Sequence, residues 1–165
     1  TFDRTILAAD DDKIIATMSQ TNACRGDGGC GSAGTPPEPL HPVPSRPCDT
    51  MLAVTVPENA ALLYRLNGDL NLLHVDPVYA AQAGFPRPIL HGLCTFGYAG
   101  YAIGRALKKQ DFADIGFMAA RFTAVVFPGD TIEFEIWQEG EDVYFRARIP
   151  TRQTTALDHG NARLV

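Results

Sequence analysis

The segment from Leu93 to Lys108 constrains this chain most. It contains Cys94, Phe96, Ala99, Ala102, Ile103, Ala106 and Leu107, and its small residues recur at Gly97, Gly100 and Gly104. The spacing predicts a helix that is apolar nearly all round. Such a helix must be buried, with close packing on more than one side. Lys108 and Lys109 suit its C-terminal end, where a cation complements the helix dipole. The rest of the chain therefore has to supply a cover.

The cover is legible downstream. From about residue 120 the apolar period becomes two. Phe122, Ala124 and Val126 alternate with Arg121, Thr123 and Val125; Ile132, Phe134 and Ile136 alternate with Thr131, Glu133 and Glu135. Val143, Phe145, Ala147 and Ile149 continue the pattern. Turns are expected at Pro128-Gly-Asp130, at Glu139–Asp142, and at Asp158–Asn161 between strands over 151–157 and 162–165. This is an antiparallel meander with one dry and one wet face. A long buried helix against a curved antiparallel sheet is an α+β fold.

Upstream, Met51–Val56 reads as a strand and Pro57–Leu66 as a short helix closed by Asn67-Gly68. Asp76 and Pro77 start a second short helix as N-cap and first helical residue, and Gly84 stops it. Residues 1–24 read as an irregular lead, a solvated acidic turn at Asp10–Asp12, and a strand signal from Ile14, Ala16, Met18, Thr21 and Ala23. Residues 25–50 are rich in glycine and proline, which excludes helix and central strand and predicts an extended linker or surface wrap. The tripeptide Arg25-Gly26-Asp27 is too short to mark an adhesion site. The glycines near it are followed by no Gly-Lys-Ser/Thr, so they do not form a phosphate loop. The organisation expected is residues 1–50 as lead and linker, then one domain over 51–165. The lead could be the remnant of a preceding unit.

The totals exclude several classes. The formal net charge of −5 argues against a nucleic-acid partner. No run approaches the length of a membrane span. Cys24, Cys30, Cys48 and Cys94 form no C-x-x-C pair and have no histidine beside them, so no metal site is expected. They read as reduced thiols of an intracellular protein.

Titratable chemistry is concentrated in Tyr64-Arg-Leu-Asn-Gly-Asp69-Leu-Asn71-Leu-Leu-His74-Val-Asp76. Asp69 and His74 sit across a bend and can face one small space. A carboxylate and an imidazole sharing a water can take a proton from it and return one elsewhere. Asn71, between them, can orient a ring or a water. The plain alternative is a loop hydrogen bond or a helix cap. His91-Gly92 adds a second element: backbone N–H groups at a helix start are placed for a developing oxyanion, and glycine admits a carbonyl closely. His91 itself reads as a cap or a packing residue.

These residues resemble a known family. Tyr64–His74, followed by Asp76-Pro77, Gly84-Phe85 and Pro88-Ile-Leu-His-Gly-Leu-Cys-Thr95, is similar to the R-specific enoyl-CoA hydratases (hydratase 2), also called MaoC-like dehydratases. The resemblance covers roughly residues 38–165. Asn67 stands where the family commonly has Ser, and Leu72 where Pro is usual. The resemblance implies a hot-dog fold and reversible hydration of trans-2-enoyl-CoA to (3R)-3-hydroxyacyl-CoA in fatty acid metabolism. By position, Asp69 and His74 match the catalytic pair, Asn71 the supporting amide, and Gly92 the N–H that holds the thioester oxygen. No cofactor is implied beyond the coenzyme A of the acyl-CoA thioester substrate. A homodimer, or two units in one longer chain, is implied as well, in the cytoplasm or the peroxisome. The final Ala162-Arg-Leu-Val165 departs from the peroxisomal tripeptide in its last residue. Two other readings stay open: another acyl-thioester enzyme (a thioesterase or carrier-protein dehydratase), or a non-catalytic acyl-binding or assembly module.

Overall fold

The computed structural model describes residues 1–165 apart from 23, 25, 27, 32 and 108–113. Arg25, Asp27, Ala23 and the lysines expected to end the long helix therefore lie outside the described residues. The chain forms two compact units, Thr1–Pro39 and Leu40–Val165.

The first unit is a hairpin of β1 (Phe2–Leu7) and β2 (Ile14–Gln20), paired antiparallel. The acidic triplet is its turn, closed by the Ala8 N–H donating to the Lys13 carbonyl at 2.7 Å. The sequence marked β2 but not β1. Phe2 and Ile6 share one face but Arg4 stands between them and Leu7 breaks the alternation, so the pattern is too weak to mark β1, whose ladder is completed by β2.

In the second unit, β3 (Thr50–Thr55) leads into α1 (Ala60–Tyr64), one 3-10 turn at Arg65–Asn67, and a left-handed Gly68 with φ of 102°. Only glycine takes that φ without strain, and it turns the chain into the Asp69 loop. A second 3-10 turn, Leu72–His74, precedes α2 (Pro77–Gln82). The Asp76 carboxylate accepts from the Val78 and Tyr79 N–H groups, as an N-cap should. The long helix α3 spans Gly92–Ala106. The strands β4 (Ile115–Phe122), β5 (Thr131–Glu139), β6 (Asp142–Ile149) and β7 (Thr154–Leu164) follow. The sheet order is β3-β5-β6-β7-β4, antiparallel throughout. With α3 packed on it, this is the expected α+β hot-dog arrangement.

The core lies between the dry face of the sheet and one face of α3. Ala99, Ala102 and Ile103 of the helix meet Ile132, Phe134 and Ile136 of β5 and Val143, Phe145, Ala147 and Ile149 of β6, all buried. Burying each large side chain contributes about 1.5–3 kcal/mol.

Four expectations are corrected. Within this chain α3 buries one stripe only: Leu93 is 64% and Tyr101 44% exposed. The sheet is a single layer and cannot reach the far side of the helix. The strand near residue 120 starts earlier and ends at Phe122, and it pairs with β7 rather than β5. The loop after it is held elsewhere: the Gly129 N–H donates to the Val56 carbonyl and the Leu90 N–H to the Val126 carbonyl. The turn expected at Asp158–Asn161 is a bulge inside one continuous strand, with His159 at φ 53°. Finally, the outer face of β5 is not wet throughout. Trp137 is buried and its indole N–H donates to the Arg46 carbonyl, while Glu135 is buried against Arg146 and Arg148. So the end of the proline-rich segment wraps that face.

All four cysteines are free. No helix among the described residues is long and apolar enough to cross a membrane.

Candidate functional site

The bend after α1 and the start of α3 meet at one place. The Asp69 carboxylate and ring nitrogens of His74 and His91 lie within 4.8 Å of one another. Local hydrogen bonds shape the bend. The Asn71 N–H donates to Asp69 Oδ1 at 3.2 Å, and the Leu73 N–H donates to Asn71 Oδ1 at 3.0 Å. Asn71 thus spends its side-chain oxygen on capping the turn that carries His74. Asp69 is exposed; His74 is buried.

His74 has a defined tautomer. Its Nδ1 lies 2.8 Å from the Ile89 carbonyl oxygen, which can only accept. Nδ1 therefore carries the hydrogen, and Nε2 is left to exchange a proton. The same argument fixes His91, whose Nε2 lies 3.2 Å from the Asp69 carbonyl oxygen. The two imidazoles stack with centroids 3.7 Å apart and planes inclined by 25°, and the Tyr64 ring tilts against His91 at 4.8 Å.

Stacking bears on metal binding. The donor set Asp69, His74 and His91 is close enough to suggest an ion, but a metal sits in the plane of each imidazole that binds it. Planes this nearly parallel meet only far beyond coordination distance, so the two rings do not suit one ion.

Gly92 opens α3 directly after His91 and shares a cavity of about 330 Å³ with His74, Leu90, Thr95, Phe122 and Val126. A Cβ on Gly92 would sit 3.3 Å from the Phe122 ring, so a side chain there would crowd the cavity mouth. A second hollow, of about 270 Å³, lies between Tyr64, Asn67, Cys94 and Tyr98. Burial pushes the Cys94 thiol up, which keeps it protonated and poorly nucleophilic at neutral pH. Burial also raises the Tyr64 and Tyr98 phenols.

All four residues singled out from the sequence thus come to one region. Thr95 and Phe122 were not singled out. Thr95 had a signal, since it lies one helical turn after Gly92. Phe122 was legible only as an alternating apolar residue of the dry face; in the fold it is half exposed at the cavity, because its place depends on the pairing of β4 with β7.

His91 makes a pH prediction. Burial, foremost, holds its pKa below the usual histidine value; the neighbouring His74 and Arg65 act the same way and Asp69 opposes them. The unfolded chain therefore protonates this ring before the folded chain does. The stability it contributes is complete above about pH 6.5 and is lost as pH falls through the folded value. Urea midpoints measured from pH 8 to pH 5 are expected to hold steady and then fall below about 6.5. A His91→Phe variant should flatten that fall; an unchanged slope would assign it to other groups.

Comparison with known proteins follows the same lines. A family model described as MaoC like domain matches residues 40–159. The 3-hydroxyacyl-thioester dehydratase Y of Mycobacterium tuberculosis is 44% identical over 154 residues, covering 92% of this chain and 51% of that protein. The peroxisomal enoyl-CoA hydratase 2 of Arabidopsis thaliana is 40% identical over 158 residues, covering 88% of this chain and 50% of that protein. A MaoC-like dehydratase from Phytophthora capsici has a similar structure, with a TM-score of 0.80 at 35% identity over 86% of this chain and 50% of that one. The chain spans about half the length of these relatives.

Proposed function

Because this chain belongs to the MaoC-like domain family, we propose that it carries the hydratase site of an R-specific enoyl-CoA hydratase. The reaction is addition of water to a trans-2-enoyl-CoA to give the (3R)-3-hydroxyacyl-CoA, and its reversal. The observation that carries the reading is the convergence of Asp69, His74 and the start of α3 on one small space. Two relatives point to the substrate class: one is named an enoyl-CoA hydratase 2, the other a 3-hydroxyacyl-thioester dehydratase, the same chemistry in the reverse direction.

The closeness of Asp69, His74 and the start of α3 supports a mechanism with one shared water. A water is held between the Asp69 carboxylate and His74 Nε2. Its oxygen bonds to C3 of the enoyl group. Between them, the carboxylate and the imidazole take one proton from the water and deliver one to C2, on the same face. Negative charge develops on the thioester oxygen, and the Gly92 N–H donates to it. Asn71 holds the turn that aims His74. No electrons are transferred overall, so the reaction calls for no redox cofactor; coenzyme A enters as part of the substrate. Pairing with a second hot-dog unit belongs to this reading, and the exposed Leu93 and Tyr101 on α3 are suited to it.

The test is chiral analysis of the product formed from crotonyl-CoA in water. The expected product is (3R)-3-hydroxybutyryl-CoA, with no release of free coenzyme A thiol. A (3S) product would overturn the assignment, and thiol release without hydration would favour a thioesterase.

A further inference from the structure

We propose that His91 is a positioning residue that joins the acid–base half of this site to its oxyanion half. The inference rests on the hydratase reading above and goes beyond it.

His91 occupies the N-cap position of α3, yet its side chain makes no capping hydrogen bond. It is 1% exposed. Its ring instead turns toward the bend. Nε2–H donates to the Asp69 carbonyl, and one face of the ring lies on His74. Its backbone continues directly into Gly92. One residue thus touches both members of the acid–base pair and is bonded to the residue whose N–H faces the thioester oxygen. Asp69 and His91 lie 22 positions apart in sequence, and the bend is tied to the approach to α3 also by the Ile89 N–H, which donates to the Leu73 carbonyl at 3.3 Å. The carbonyl of Ile89, which holds His74 Nδ1, belongs to the same approach to α3.

The charge state follows from the same contacts. His91 Nδ1 is buried with no hydrogen-bond partner. A second proton there would place an unpaired donor and a charge in a buried site, against the face of His74 and near Arg65, with Asp69 opposing them. At neutral pH His91 therefore stays neutral, with its hydrogen on Nε2. A neutral ring can lie against His74 in either of its protonation states, whereas a cation would oppose the proton His74 must accept. His91 thus fixes the distance and leaves the proton traffic to its neighbours.

The test uses the whole chain and two variants. His91→Phe keeps a flat ring against His74 but cannot donate to the Asp69 carbonyl. His91→Gln keeps a donor at comparable reach but loses the ring. With crotonyl-CoA, His91→Phe should lower kcat about 10- to 100-fold, the scale of a small misplacement of reacting groups. KM should move less than about threefold, and His91→Gln should recover part of the loss. Both variants turning over within about twofold of the parent would overturn the proposal, as would an equal loss through KM alone. Nitrogen-detected NMR of the imidazoles supplies a readout independent of activity. The parent should show His91 protonated on Nε2 and bare on Nδ1, and His91→Phe should shift the His74 ring signals. If the parent proves inactive on enoyl-CoA, the hydratase reading fails, and these spectra still decide whether His91 sets His74. Unmoved His74 signals would overturn the positioning role.

Discussion

Asp69→Asn and His74→Gln are each expected to lower kcat for crotonyl-CoA hydration by about 10²- to 10⁴-fold, the range for losing a positioned acid–base group. The Asp69 substitution is nearly isosteric. Its amide oxygen still accepts the Asn71 N–H, so the bend should survive while the charge is lost. The His74 substitution removes Nε2, the one ring nitrogen not engaged by the Ile89 carbonyl. KM should change little in either variant, because neither group is proposed to hold the coenzyme A part of the substrate. The double variant should be only slightly worse than the poorer single one, since both groups act on one water. Circular dichroism and thermal midpoints would establish that the variants are folded. Turnover within tenfold of the parent in a folded single variant would remove that residue from the mechanism.

Phe145→Ala is expected to cost about 3–5 kcal/mol of stability, the range for truncating a fully buried aromatic. Phe145 is completely buried in the middle of β6. Its neighbours in register are Ile136 on β5 and Gly160 on β7. Gly160 leaves the room that the ring occupies: a Cβ there would lie 2.6 Å from it. Deleting the ring opens a void that the sheet cannot close, because both flanking strands are fixed by their own ladders. Against a total of about 5–15 kcal/mol this is a large fraction. For a chain of this size it corresponds to a fall in Tm of roughly 6–20 °C. Adding Gly160→Ala should not rescue it, because the new methyl also meets the Phe145 carbonyl oxygen. A midpoint shift below about 1 kcal/mol would mean that the core repacks around the deletion.

The two predictions differ in how far the sequence alone could have reached them. Phe145 was legible as a core residue because strand alternation is a local pattern, and β6 is a central strand whose inner face is all core. The start of α2 was legible for the same reason: Asp76 caps N–H groups two and three residues away. Asp69, His74, Asn71 and Gly92 stood out through the types of residue and their spacing. Their meeting in one place could not be read from spacing, since it depends on how the bend after α1 docks against the approach to α3. His91 shows the gap most clearly. Beside Gly92 at a helix start it read as a cap or a packing residue, and in the fold its hydrogen bond goes to Asp69 and its ring to His74.

By itself, then, the sequence determined most of the elements: a long helix rich in apolar residues, strands of period two, the local caps and several of the turns, and the residue types able to move a proton. These are set by interactions within a few residues of one another. The tertiary structure alone decided that β4 pairs with β7, that Asp158–Asn161 is a bulge and not a turn, that Trp137 is covered by the Arg46 segment, and that His91 faces His74. Each of those depends on which distant backbone groups satisfy one another's hydrogen bonds and which side chains lose water together. Such choices are made by the whole fold, and no local stretch of the chain encodes them.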